Sequence, residues 1–145
     1  METHLSKFAE RLESLNPSEH EDIVSVLYEL TEEIENEKYV EKVIPNIFEF
    51  MERNPLADIG SPGPLVHLVE KFYPNYVEEL KASIARKPTI HTIWMLNRIL
   101  NSNLSESERT SFLQLLLKAQ TNEQADQSAR EEAKYYYEYQ LENNG

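Results

Sequence analysis

The segment at residues 88–102, PTIHTIWMLNRILNS, constrains the fold more than any other stretch of the chain. Read as a helix, it is apolar over well more than half of its circumference. Its apolar positions are Ile90, Ile93, Trp94, Met95, Leu96, Ile99 and Leu100. A surface helix has a narrower apolar stripe, so this helix must be enclosed by others. We interpret it as a core helix whose polar residues, Asn97, Arg98 and Asn101, form hydrogen bonds with neighbouring loops.

The rest of the chain also has the spacing of amphipathic helices, interrupted by proline and capping residues. Only three glycines occur, which disfavours phosphate-binding loops and strand-rich folds with tight turns. We therefore predict an all-α fold of about eight helices in antiparallel hairpins, either HEAT-like or a compact helical bundle. With 145 residues the chain is long enough for a single domain spanning 1–145.

Local signals predict how several helices begin and bend. Ser18, followed three residues later by Glu21, predicts a capping box for the second helix. Thr89 is predicted to cap the helix that contains Trp94, and Ser105, with Glu108 at the capping-box position, the helix that follows it. A third helix is predicted over 38–53, with Tyr39 buried and Pro45 in its interior, where proline bends a helix. A bend of this kind is typical of the first helix of HEAT-type repeats.

The chain lacks the motifs of familiar catalytic sites. Cysteine is absent, which excludes thiol catalysis, zinc–thiolate sites and disulfide bonds. No G-x-S-x-G element, phosphate-binding loop or dinucleotide fingerprint occurs. His67 and Glu70 could share a metal, but a structural zinc needs four ligands and no second such pair is evident. We interpret His67 as a hydrogen-bond partner of the turn at Gly60 and Gly63, and expect no enzymatic activity, cofactor or metal.

The N-terminus is charged and amphipathic, without the apolar core of a signal peptide. No apolar run approaches the length that spans a membrane. Together with the absence of cysteine, these features predict a cytoplasmic protein. A net charge of −12 argues against nucleic acid or an anionic membrane as a partner.

The negative charge is concentrated at the N-terminal end. Residues 1–53 hold 14 acidic and five basic side chains, whereas residues 54–120 hold six and seven. The second helix carries one acidic side, and like charges within one or two turns destabilise a helix unless solvent or a partner relieves them. Its acidic residues are Glu29, Glu32, Glu33, Glu35 and Glu37. This surface either keeps the protein soluble or binds a basic partner.

A tyrosine-rich segment, KYYYEYQ, ends the last predicted helix, which spans about 122–142. Successive helical residues turn by about 100°, so these tyrosines cannot all face one way. Tyrosine is enriched at protein interfaces. A second candidate contact region therefore consists of Glu131, Glu132, Tyr136, Tyr137 and Glu138. The alternative is that the tyrosines cover the end of the core.

Two stretches, DIGSPGPLVHLVE at 58–70 and PTIHTIWMLNRIL at 88–100, resemble signature segments of helical immunity proteins. These proteins accompany bacterial contact-dependent growth inhibition and related polymorphic toxin systems. The resemblance implies a small acidic protein that protects the producing cell by binding a toxin domain, in many cases a nuclease. The matching positions are Gly60, Gly63, His67, Trp94, Asn97 and Arg98, which the resemblance implies to be structural.

The leading functional hypothesis is an immunity protein that neutralises a cognate toxin domain, a basic nuclease, in a stoichiometric complex. The two acidic regions would supply the contacts. An alternative is a HEAT-like adaptor that binds a protein or peptide without inhibiting it. A third, a helical hydrolase, would require a bound metal. The oligomeric state stays open.

Overall fold

Helices form the regular structure of this protein. The computed structural model describes the backbone of residues 2–144 and the side chains of residues 4–143. Helices hold 71% of the chain, and no strand occurs within the described residues, which confirms the all-α prediction. The chain divides into unit 1, Met1–Glu78, and unit 2, Glu79–Gly145. The expected single domain over 1–145 stays a prediction.

Unit 1 contains α1 (Glu2–Ser14), α2 (Ile23–Ile34), α3 (Ile44–Arg53) and α4 (Gly63–Glu70), with 3-10 helices at Pro17–Glu19 and Val40–Val43. Helix α1 packs against α2 and α3, and α2 packs against α4. Apolar side chains at helical spacing face inward, because burying them is the main favourable contribution to folding. Fully buried examples are Leu12, Leu27, Ile47, Phe48 and Leu65.

Helix α5 (Val77–Arg86) begins in unit 1 and continues into unit 2, which adds α6 (Ile90–Leu100), α7 (Glu106–Ala119) and α8 (Gln127–Asn144). Helix α8 packs against both α6 and α7. Thr89 and Ser105 cap α6 and α7 through reciprocal side-chain and backbone hydrogen bonds. These are the caps that the sequence predicts.

The predicted capping box of the second helix is wrong. Residues Pro17–Glu19 form a 3-10 helix, in which the Asn16 side chain accepts a hydrogen bond from the backbone of Ser18. Helix α2 begins only at Ile23, where the Asp22 carboxylate accepts hydrogen bonds from the backbone and hydroxyl of Ser25. An ionised aspartate accepts such hydrogen bonds strongly, and Asp22 rather than Ser18 is therefore the N-cap of α2.

The predicted bend at Pro45 is also wrong. Pro45 lies in the first turn of α3, where a missing backbone N–H removes no intrahelical bond. Tyr39 has a left-handed conformation with φ of 66°, which ends any continuous helix through this region. Its side chain is 60% exposed instead of buried, and Lys42 lies over its ring. The proline that suggested a HEAT-type helix therefore marks a helix start.

Two asparagines at the C-terminal end of the core helix, α6, bond to another helix rather than to loops. Asn97 and Asn101 each accept a hydrogen bond from Gln140 Nε2 of α8, at 2.7 and 2.8 Å. Arg98 is exposed and lies over the half-buried Trp94 ring at 4.9 Å. Arg109 of α7 donates to the carbonyl oxygens of Leu100 and Gln140. The expected loop contacts of the two asparagines are thus replaced by contacts with α8.

Candidate partner-binding surface

The five N-terminal glutamates of the predicted binding region occur together in unit 1. Glu29, Glu32 and Glu33 lie on the solvent side of α2, opposite its buried residues. Glu35 is the C-cap of the helix and Glu37 lies in the turn that follows. The first four are exposed and Glu37 is half-buried. The predicted acidic side of the helix is therefore correct for Glu29, Glu32 and Glu33, whereas Glu35 and Glu37 lie beyond the last residue of α2.

Three of these carboxylates have basic partners. Arg11 of α1 binds Glu33 through both carboxylate oxygens, at 3.0 and 3.3 Å. Lys71 is 3.9 Å from Glu35, and His4 contacts Glu37.

The other two carboxylates, Glu29 and Glu32, form no ion pair or hydrogen bond with side chains in the described part of the chain. Their negative charges are therefore available to be balanced by solvent ions or by a binding partner.

The position of Glu32 within α2 adds to its negative potential. Glu32 and Glu33 lie in the last turn, where the helix dipole is already negative. A helix is ordinarily stabilised there by lysine or arginine, but the last turn of α2 has no basic residue. Arg11, which lies on α1, compensates the negative charge of Glu33. Glu32 therefore carries the least compensated charge at this end of α2.

A groove runs between α2 and α4 and has a volume of about 410 Å³. That volume is within the range of small-ligand pockets. Both of its walls are rows of residues three, four and seven apart, the spacing of one helix face. The lining residues are Tyr28, Thr31, Glu32, Glu35, Pro64, His67, Leu68 and Lys71. The Glu35–Lys71 pair joins the C-caps of the two helices at one end.

Three of the lining residues have polar groups in this groove: Tyr28, Glu32 and His67. Their side chains form no hydrogen bond or ion pair with any other residue that the structure describes. Tyr28 is 44% exposed, and His67 is also exposed. The predicted hydrogen bond from His67 to the Gly60–Gly63 turn is therefore wrong. His67 faces away from the core because the buried side of α4 is formed by Leu65, Val66, Leu68 and Val69.

The second predicted contact region lies on α8 in unit 2. Glu131 and Glu138 are exposed, while Glu132, Tyr136 and Tyr137 are half-buried. Burial, together with the adjacent Glu132 carboxylate, raises the pKa of Tyr136 to about 12. Three of the five residues are thus partly buried within the unit, and Glu131 accepts a hydrogen bond from Gln127. Its role in binding stays a prediction.

The groove is the feature that the sequence analysis missed. Tyr28 precedes Glu32 by four residues and Glu35 by seven, a spacing that could have indicated one helix face. The opposite wall begins at Pro64, 29 residues after Glu35 in sequence. No periodicity shows that α2 packs against α4, so the concavity is visible only in the structure.

The residues that the structure describes contain no group of three or more histidine, aspartate or glutamate side chains placed to hold a metal ion. None of the described helices has both the length and the apolar character needed to cross a membrane. A comparison with protein-family models found no match, and comparisons with curated proteins and with solved structures found none either.

Proposed function

We propose that this protein is an immunity protein that neutralises a cognate toxin domain by forming a stoichiometric complex. The observation that carries the proposal is the uncompensated charge of Glu29 and Glu32 on the exposed side of α2. Two like charges held one turn apart destabilise the free helix, and a basic partner relieves that repulsion. The expected partner is a toxin domain with a basic surface, as a nuclease needs for binding phosphates.

Charge also favours rapid association. An acidic surface facing a basic cleft steers the encounter and raises association rates by about tenfold to a thousandfold. Speed is valuable to an inhibitor that must reach the toxin before the toxin reaches its substrate. Inhibition by this route needs no catalytic group. The immunity protein covers the toxin's active site or holds the toxin in an inactive geometry.

The resemblance to helical immunity proteins supports the same proposal from different residues. Gly60 and Gly63 have positive φ angles of 103° and 78°, and Asn97 is buried. Gly60, Gly63 and Asn97 therefore have structural roles, whereas the matching position His67 is exposed on α4. The proposed contact residues on α2 lie outside both matching stretches, as expected where a family keeps its core and varies its binding surface.

Co-purification with the toxin domain encoded beside this gene tests the proposal. We expect a one-to-one complex that weakens with salt and has no toxin activity. Toxin activity that persists at a saturating excess of this protein contradicts the proposal. A complex that forms without inhibition indicates an adaptor instead.

Charge reversal tests the proposed surface. The double variant Glu29→Lys/Glu32→Lys should slow association about tenfold or more. The control, Glu13→Lys/Glu49→Lys, changes the net charge equally at exposed positions on α1 and α3. Stopped-flow measurement of both variants separates a local contact from a general effect of net charge. Equal rates for the two variants would place the interface elsewhere.

A further inference from the structure

The groove between α2 and α4 has the chemistry of a site for one cationic side chain. Glu32 supplies a carboxylate, Tyr28 an exposed aromatic ring and His67 a further polar group on the opposite wall. A cation is attracted to the face of an aromatic ring, most often in the form of an arginine guanidinium. The guanidinium also matches a carboxylate through two parallel hydrogen bonds.

The charges around the groove favour a cation over a neutral or anionic occupant. Glu35 is paired with Lys71 at 3.9 Å, so these two charges largely cancel. Glu32 is left with the negative end of the α2 dipole and no basic partner among the described residues. The groove therefore holds about one uncompensated negative charge, next to an aromatic ring.

The groove walls also suit a long side chain. Pro64 and Leu68 of α4 are buried and form a small apolar part of the groove lining, on which the methylene stem of arginine can pack while its head stays polar. A groove of about 410 Å³ leaves room for solvent around one side chain. The combination favours arginine over lysine, because only arginine can stack on a ring and bind a carboxylate with a planar group.

We propose that this groove binds an arginine side chain on the basic surface of the partner, with the guanidinium paired to Glu32 and stacked on Tyr28. This inference rests on the proposed function for the identity of the partner. Within the acidic side of α2, it assigns one anchoring contact, which is formed by Glu32 and Tyr28. Buried or partly buried arginines commonly act as such anchors in protein interfaces.

The groove can be tested without the toxin. The ¹⁵N-labelled protein is titrated with the peptide acetyl-Gly-Arg-Gly-Arg-Gly-amide, and with the same peptide carrying neutral citrulline in place of arginine. Amide shifts should concentrate at Tyr28, Glu32 and His67 with the arginine peptide only. Shifts spread evenly over the acidic surface, or equal binding of the citrulline peptide, overturn the inference.

Two variants identify the contacts. Glu32→Gln and Tyr28→Leu should each weaken peptide binding about twofold to fivefold, the upper part of the range for exposed ion pairs and the range for exposed cation–π contacts. Glu49→Gln, at an exposed position that does not line the groove, should leave binding within about twofold. Thermal unfolding of each variant shows that the fold is retained. Equal effects of Glu32→Gln and Glu49→Gln reject the groove as the site.

The toxin complex then separates this inference from the proposed function. Glu32→Gln and Tyr28→Leu should speed dissociation of the complex, whereas Glu49→Gln should not. Full neutralisation with unchanged dissociation rates rejects the groove contact while the immunity function stands. Peptide binding in the groove by a protein that fails to neutralise the toxin rejects the immunity function and keeps the arginine site.

Discussion

Gln140 links α6 and α8 through a buried amide, and replacing it with leucine should destabilise the protein by about 2 kcal/mol. The side chain is 0% exposed and accepts a hydrogen bond of 3.1 Å from Arg109, besides donating to Asn97 and Asn101. Asn101 is exposed and can bind water instead, and Arg109 keeps two carbonyl partners.

The largest loss of stability in the Gln140→Leu variant arises at Asn97, which is only 8% exposed. Leaving its buried carbonyl oxygen without a donor costs about 1–3 kcal/mol, and the two other lost bonds add about 0.5–1 kcal/mol each. Burial of the leucine side chain offsets about 1 kcal/mol of this. Leucine and glutamine have similar sizes, so no large cavity enters the estimate.

Urea unfolding followed by tryptophan fluorescence measures the effect, because Trp94 is the only tryptophan and lies on α6. The control, Gln114→Leu, makes the same change at an exposed position of α7 and should stay within about 0.5 kcal/mol. In the double variant with Asn97→Ala, the two losses should fall short of additivity by about 1 kcal/mol. A fully additive result, or an unchanged Gln140→Leu variant, would refute the role given to this amide.

Three further outcomes are expected. Gly60→Ala should destabilise by about 2 kcal/mol in urea unfolding, because φ is 103° and the added Cβ would lie 2.4 Å from Gly63 Cα; a neutral effect would contradict that geometry. Tyr136 has a folded-state pKa of about 12 against an ordinary value of 10, so its contribution to stability is present below pH 10 and lost as pH rises towards 12. The Tyr136→Phe variant should lose less stability across that interval, and parallel curves would disprove the assignment. Hydrogen bonds from the backbone N–H and then from the hydroxyl of Ser105 lower the pKa of Glu108, so their contribution to stability is present above pH 4.5 and lost as pH falls through the lowered pKa. Ser105→Ala removes only the hydroxyl and should weaken this dependence in acid unfolding without abolishing it; an unchanged dependence would contradict a role for the hydroxyl.

Strong local signals predict parts of this fold well. Thr89 and Ser105 cap their helices as predicted, because each cap uses residues within three positions in sequence. Asp22 replaces Ser18 as a cap because both residue types cap well and the sequence alone gives no order between them. Pro45 was ambiguous for a similar reason, since proline suits a kink and the first turn equally.

Contacts between distant segments were harder to predict. The acidic side of α2 was predictable, since Glu29, Glu32 and Glu33 follow one helical face. Which of them pair with a base was not, because Arg11 comes from a different helix. The groove wall that contains His67 was not predictable either, because it depends on the packing of α4 against α2. Helical periodicity specifies which side of a helix is buried but not which helix covers it.

At the unpaired carboxylates of α2, Glu29 and Glu32, selection for stability and selection for binding favour different residues. Substituting Glu29 or Glu32 with a neutral helix former would remove the repulsion between these two carboxylates and make the free protein more stable. The same substitution would remove charge that the proposed partner meets. Stabilising mutations should therefore accumulate easily here in laboratory evolution for expression alone. Under selection for protection, we expect the same two positions to resist replacement or to change only with the partner.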